Sequence, residues 1–253
     1  MKNADCWKPS KFVQIGGRWV ASPDTAEVGR GSRLIVSILG QAYHRVIRTH
    51  ARGRLLDLGC GKVPLYKMYK DLVTENICVD WESSLHDAKY IDHFVDLNGP
   101  LPFDDGLFDT VLTTDVLEHI RQPQVFWHEM SRVLKPGGKL ILSVPFLYWL
   151  HEEPHDYCRY TAHKLRDFCA EHHFNVLELE PYGGGLEVIL DISAKHIARH
   201  PWLSALHLHA AKLLLRIPAL RALSNDQKRT FPLGYCLVAA KHPELVLENR
   251  TGC

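Results

Sequence analysis

The chain has 253 residues, of which 46% are hydrophobic and 23% charged. That excludes a disordered tail, a collagen-like repeat or a mini-protein, and it suits one large domain with appendages. Lys and Arg number 30 against 29 Asp and Glu, a formal charge of +1, so no overall positive field draws in nucleic acid and none is expected as a partner. The seven cysteines form no C-x-x-C pair, which argues against a disulfide framework or a tetrathiolate zinc site and for a reducing, cytoplasmic setting. The opening MKNADCWKPS has no basic-then-apolar leader. The longest apolar stretch, Leu140 to Leu150, is broken by Ser143 and Pro145, so no transmembrane segment is expected.

Along the chain, residues 1–50 hold Trp7, Phe12, Trp19 and a Gly16-Gly17 turn, followed by a helix expected over Arg33 to His50; this segment is read as an N-terminal cover. Short leucine-rich or β-branched runs then recur at Arg54–Leu58, Asn76–Asp80, Phe108–Thr114, Lys139–Pro145, Val176–Glu180 and Tyr235–Ala240, with a weaker one at His93–Val95. Helix-period segments lie between most of them, the first expected over Pro64–Leu72. Alternation of strand and helix implies parallel strands joined by crossovers, hence an α/β fold with helices on both faces. The expected organisation is a cover at 1–50, a core at 51–183, a helical insertion at 184–230, and a last core strand with a tail at 231–253. In the insertion, Leu203, Leu206, Ala210, Leu213, Leu214, Ile217 and Leu220 recur at helical spacing until Pro218 disturbs the final turn. Seven basic side chains there face three acidic ones, a net of +4. The expectation is a lid or a homodimer helix.

The chemistry concentrates where strands end. In Arg54-Leu-Leu-Asp-Leu-Gly-Cys-Gly-Lys62 a strand enters a glycine turn, and Gly59 and Gly61 let the backbone lie against a ligand. A dinucleotide fingerprint wants a third glycine where this chain has Pro64, which disfavours an NAD-dependent dehydrogenase and a pyrophosphate ligand. Asp80 ends the second strand, 23 residues after Asp57, where a carboxylate accepts the hydroxyls of a ribose. Trp81 is placed to cover an adenine face, and Asp96 to accept its exocyclic amine. Asp57 is placed to hold a cationic amino-acid tail.

The run LLDLGCG, the acidic Asp80, Asp96-Leu-Asn-Gly-Pro-Leu-Pro-Phe, Phe108-Asp-Thr-Val-Leu-Thr-Thr-Asp-Val-Leu-Glu-His119 and Leu134-Lys-Pro-Gly-Gly-Lys-Leu-Ile-Leu142 together resemble the motif series of class I S-adenosylmethionine-dependent methyltransferases, of the methyltransferase type 11 kind. The resemblance covers roughly residues 53–180. It implies a Rossmann-like seven-stranded sheet with the last strand antiparallel, and S-adenosyl-L-methionine as cofactor with S-adenosyl-L-homocysteine as product. It sets Gly59, Cys60 and Gly61 against the methionine part, Asp80 on the ribose and Asp96 with Leu97 at the adenine. Asp115 and Val116 then line the sulfonium and substrate side.

Methyl transfer needs alignment and exclusion of water more than it needs catalytic groups. A hydroxyl acceptor benefits from a base with a near-neutral pKa. The stretch from Pro145 to Thr161 resembles the H-x-x-P-x-D-Y-x-R-Y-T segment of methyltransferases found beside glycan and secondary-metabolite genes. It offers His155 or His151 as base, with Asp156 orienting an imidazole and Arg159 or Tyr160 holding the substrate. Trp19, Tyr148 and Trp149 are expected at the substrate pocket. His119 is expected to be a packed or hydrogen-bonded residue. No metal is expected: His151, Glu152, His155 and Asp156 offer ligand types, but Pro154 denies them one helical face. The expected activity is methylation of an oxygen or nitrogen on a small molecule; the alternative is a non-catalytic scaffold that keeps the cofactor fold.

Overall fold

The computed structural model describes residues 1–82 and 88–243; the tail expected after the last strand, with Cys253, lies largely outside them. Strands β1 (Phe12–Ile15) and β2 (Arg18–Ala21) form an antiparallel hairpin across Gly16 and Gly17. Both glycines have the positive φ that such a turn requires. Helix α1 (Arg33–His50) follows. The chain continues through β3 (Gly53–Leu58), α2 (Tyr66–Tyr69), β4 (Val73–Asp80), β5 (His93–Phe94), β6 (Phe108–Thr114), α3 (Pro123–Val133), β7 (Leu134–Pro145), α4 (Ala162–Glu171) and β8 (Phe174–Tyr182). Helices α5 (Gly185–His196), α6 (Pro201–Leu214) and α7 (Pro218–Gln227) then precede β9 (Gly234–Lys241).

The seven-stranded sheet has the order β5-β4-β3-β6-β7-β9-β8. The first five strands pair in parallel, and β9 is antiparallel to both β7 and β8. Strand alternation divides the core into two layers. Leu56, Leu58, Val79, Val111, Leu140 and Leu142 face α3 and α4, where buried Trp127 stacks on Phe168 at 5.4 Å. Leu55, Cys78, Leu112, Ile141 and Val238 face α1, α2 and the hairpin. Burial of a side chain such as Leu56, at 0% exposure, contributes about 1.5–3 kcal/mol. Helices thus cover both faces, and the strand order reverses between β3 and β6, which opens a crevice at their carboxyl ends.

Three local expectations change. The helix expected over Pro64–Leu72 contracts to one turn, because Leu72 already closes a turn on Tyr69 and β4 begins at Val73. Lys135-Pro-Gly-Gly138, which reads in sequence as a turn that launches the next strand, lies inside β7 as an irregularity against β6, with Gly137 at φ 74°. Pro218 occupies the first turn of α7, where its missing N–H is harmless, and so starts a helix instead of disturbing the end of one. In the insertion, α6 buries only Ser204 and Ala211; Trp202, Leu206 and Leu213 are exposed at 69%, 62% and 61%. Among the described residues no helix is long and apolar enough to cross a membrane.

Candidate active site

A cavity of about 900 Å³ opens at the carboxyl ends of β3, β4 and β6. Its first wall is the turn after β3. The N–H groups of Gly59 and Cys60 both donate to the Val79 carbonyl, at 2.8 and 3.1 Å, folding the turn back over β4. Gly59 has φ +70°, and a Cβ there would collide with the Val116 side chain, so this position requires glycine on two counts. The Gly61 N–H donates to Asp80 Oδ2 at 2.7 Å and the Trp81 N–H to Oδ1 at 2.8 Å, which fixes the Asp80 carboxyl at the strand tip. Beneath the turn, Asp57 is buried and accepts from the Tyr69 hydroxyl at 3.2 Å. Burial pushes its carboxyl up to about 7; the Tyr69 hydrogen bond opposes the shift and the nearby Asp80 charge adds to it.

On the next wall, Asp96 Oδ1 accepts from the backbone and side-chain N–H groups of Asn98. Asn98 Oδ1 in turn accepts from the N–H groups of Arg121 and Gln122, tying this loop to the one after β6. Asp115 stands at the end of β6 in the left-handed region, φ 55°, which aspartate tolerates better than most residues. Its carboxylate accepts from Tyr43 at 3.0 Å, Ser143 at 3.1 Å and Lys11 at 3.4 Å. Burial, and then the Asp115 charge, hold the Tyr43 hydroxyl well above its ordinary range. All ten residues expected at the cofactor, Asp57 to Val116, line this cavity.

The candidate acid–base residues are brought together only in part. His151 and His155 line the cavity and Asp156 does not. Asp156 orients His151: its Oδ2 lies 3.1 Å from His151 Nδ1 and accepts the His151 backbone N–H at 3.0 Å. Burial would raise the Asp156 carboxyl, but Arg159 and His151 hold it down at about 2. His155 instead faces the Tyr157 hydroxyl at 3.0 Å and meets Trp81 edge to face at 5.0 Å. Tyr148 lines the cavity and touches Ser32 at 3.4 Å.

Four expected substrate residues lie elsewhere. Trp19 is buried between the hairpin and α1, with Phe12 and Leu39, because the inward face of β2 must cover that helix. Trp149 is 55% exposed and lies against Lys195. Arg159 is occupied by the Asp156 carboxylate and the Trp149 carbonyl. Tyr160 belongs to the core beside Phe168, with its hydroxyl toward the Leu117 carbonyl.

Glu118, Lys11 and Tyr43 line the cavity without having been expected there. The sequence signal for Glu118 is its place three residues after Asp115; for Lys11 and Tyr43, which come from the N-terminal segment, there is none. Glu118 is fully buried, and burial raises its carboxyl from the ordinary carboxylate range. His119, expected to be a packed or hydrogen-bonded residue, lies 2.8 Å by its Nδ1 from the His155 carbonyl oxygen and also lines the cavity.

The strand order, the antiparallel last strand and the glycine turn at the reversal point give the fold seen in solved class I methyltransferases. Residues 56–142 match the family model described as a methyltransferase domain. A curated ubiquinone biosynthesis O-methyltransferase from Xanthomonas euvesicatoria pv. vesicatoria is 35% identical over 106 residues, 37% of this chain and 43% of that protein. A demethylmenaquinone methyltransferase from Renibacterium salmoninarum is 26% identical over 140 residues, 52% of this chain and 56% of that protein. The chain thus spans about half the length of these curated relatives. Among solved structures, an S-adenosylmethionine-dependent methyltransferase from Mesorhizobium loti superposes with TM-score 0.52 at 14% identity, covering 81% of this chain and all of that one. Phosphoethanolamine N-methyltransferase 2 from Haemonchus contortus, solved with S-adenosyl-L-methionine, gives TM-score 0.50 at 17% identity over 81% of this chain and 53% of that one.

Proposed function

We propose that this protein transfers a methyl group from S-adenosyl-L-methionine to an oxygen or nitrogen of a small molecule. The observation that carries the reading is the convergence of the ten expected residues, drawn from four strand ends, on one cavity. The residues fit the group. The turn at Gly59 and Gly61 offers a surface without side chains to the methionine part. Asp57 would pair with its cationic tail, Asp80 would accept the ribose hydroxyls, and Asp96 with Leu97 would hold the adenine. When bound, the sulfonium supplies the methyl group and loses its positive charge as the methyl leaves.

The protein's own part is to align the acceptor and keep water out. Ser10, Lys11 and Phe12 of the N-terminal segment and Tyr148 and His151 of the loop after β7 enclose the acceptor side. A volume of about 900 Å³ lies near the upper end of ordinary ligand sites, roughly 300–1,000 Å³, so a cofactor and a metabolite-sized acceptor fit together. The acceptor end holds Glu118, His119 and His151, all able to take a proton, and this favours a hydroxyl over an amine that is already neutral. One of the curated relatives named above is a ubiquinone biosynthesis O-methyltransferase, which supports a hydroxyl as the first acceptor class to try. The test is to incubate the protein with methyl-labelled S-adenosyl-L-methionine and a panel of hydroxylated and amino metabolites. Labelled product with an equal yield of S-adenosyl-L-homocysteine is expected. Tight cofactor binding with no turnover on any acceptor would favour a scaffold instead.

A further inference from the structure

At the acceptor end of the cavity three groups meet whose joint arrangement methyl transfer does not require. Glu118 is 0% exposed, and among the described residues neither of its carboxylate oxygens has a hydrogen-bond partner. His119 Nε2 and His151 Nε2 each lie 3.7 Å from Glu118 Oε1. The three ligand atoms all fall within 4.8 Å of one another.

The far side of each imidazole decides where its proton sits. His119 Nδ1 is 2.8 Å from the His155 carbonyl oxygen, an acceptor, so Nδ1 carries the hydrogen. His151 Nδ1 faces the Asp156 carboxylate at 3.1 Å and the Trp149 carbonyl at 3.3 Å, again acceptors. Neutral imidazoles held this way turn their Nε2 lone pairs toward the lone pairs of a buried carboxylate. When both imidazoles are neutral and Glu118 is ionised, three acceptors face one another across this gap, an arrangement that a cation between them completes. A carbonyl or carboxylate behind Nδ1 is also the usual outer-shell partner of a metal-bound histidine.

We propose that Glu118, His119 and His151 bind a divalent first-row transition cation. Two nitrogens and one oxygen, with no thiolate, suit zinc, cobalt or manganese; magnesium and calcium prefer all-oxygen sites. Bonds of about 2.0–2.2 Å would put tetrahedral neighbours about 3.4 Å apart, so the 3.7 Å separations close with a small inward shift. Glu152 Oε2, 3.8 Å from His119 Nε2 on a half-exposed side chain, approaches from the mouth as a further ligand. The remaining position faces the cavity, as a catalytic site requires. There a coordinated acceptor hydroxyl would lose its proton to solvent at the mouth and present its oxygen for methylation. That role rests on the methyl-transfer reading; the binding itself does not.

The test is to strip the full chain with a chelator and titrate it with cobalt(II), followed by visible absorption and calorimetry. One equivalent with visible d–d bands is expected. Glu118→Gln and His151→Ala should each weaken binding by about 10-fold or more. His163→Ala, an exposed histidine on α4, should not change it. The melting curve of each variant reports whether it folds, and His151→Ala, on a partly exposed loop, serves if Glu118→Gln does not. No stoichiometric binding to the wild type, or binding that both cavity variants leave unchanged, overturns the metal site and means that a proton fills the gap. Retention of S-adenosyl-L-homocysteine binding in that case would leave methyl transfer standing. Cobalt binding without nucleoside binding would do the reverse.

Discussion

Replacing Asp57 with Asn removes an acid that the fold buries beneath the glycine turn. Its carboxyl rises from an ordinary 3.8 to about 7 because burial disfavours the charge. The folded pKa lies above the unfolded one, so between those values the folded protein keeps a proton that the unfolded chain has lost. The stability this group allows is therefore full below pH 3.8 and is lost as pH rises toward 7. A shift of about 3 units corresponds to a ceiling of about 4 kcal/mol at 1.36 kcal/mol per unit. For a chain of this size that is roughly 10 °C in melting temperature. Asn keeps an acceptor for the Tyr69 hydroxyl and has no charge to bury. Urea denaturation at pH 4 and pH 8 should show the two proteins nearly equal at the lower pH and Asp57→Asn the more stable at the higher one. S-adenosyl-L-methionine, whose cationic tail is proposed to pair with the ionised carboxylate, should stabilise the wild type at pH 8 and the variant much less. A variant that is no more stable at pH 8 and gains as much from the ligand would refute both the burial argument and the placement of the cationic tail.

Three other outcomes follow from the packing. Gly59→Ala places a side chain at φ +70° and against Val116; it should cost about 1–2 kcal/mol from the backbone alone and more from the collision, with the second part recovered in the double variant with Val116→Ala. Lys195→Met leaves the buried Asp191 carboxylate without the ammonium now 2.5 Å away and should destabilise by about 3 kcal/mol or more, measured by urea denaturation. We propose the exposed apolar face of α6 as a homodimer surface. Sedimentation should then show a dimer in the wild type and a monomer when Trp202 and Leu206 are both changed to Ser, and a wild-type monomer at high concentration would reject it.

Strand positions were legible because alternate residues on β3, β6 and β7 serve two different layers, and helix α1 because its apolar face repeats at helical spacing. The wall proposed for the cofactor was legible as one cavity lining because backbone demands fall on identifiable residues: glycine where φ is positive, and carboxylates at strand tips. The acceptor side was less legible. Trp19, Trp149, Arg159 and Tyr160 have side chains that suit a pocket equally well as a core, and only the packing of β2 on α1, or the pairing of Arg159 with Asp156, decides between them. Glu118 was missed because a carboxylate in a short turn reads as solvent-exposed, whereas the loop carrying His151 folds over it from a site 33 positions away in sequence.

The crevice at the tips of β3, β4 and β6 is proposed to hold an adenosyl group. Calorimetric titration of the wild type and of Asp80→Asn with S-adenosyl-L-homocysteine tests it most directly. Loss of charge-assisted hydrogen bonds to the ribose, each contributing about 1.5–3 kcal/mol, predicts stoichiometric binding to the wild type and affinity weaker by on the order of 10- to 100-fold in the variant. No binding to the wild type, or equal affinity for both proteins, would contradict it.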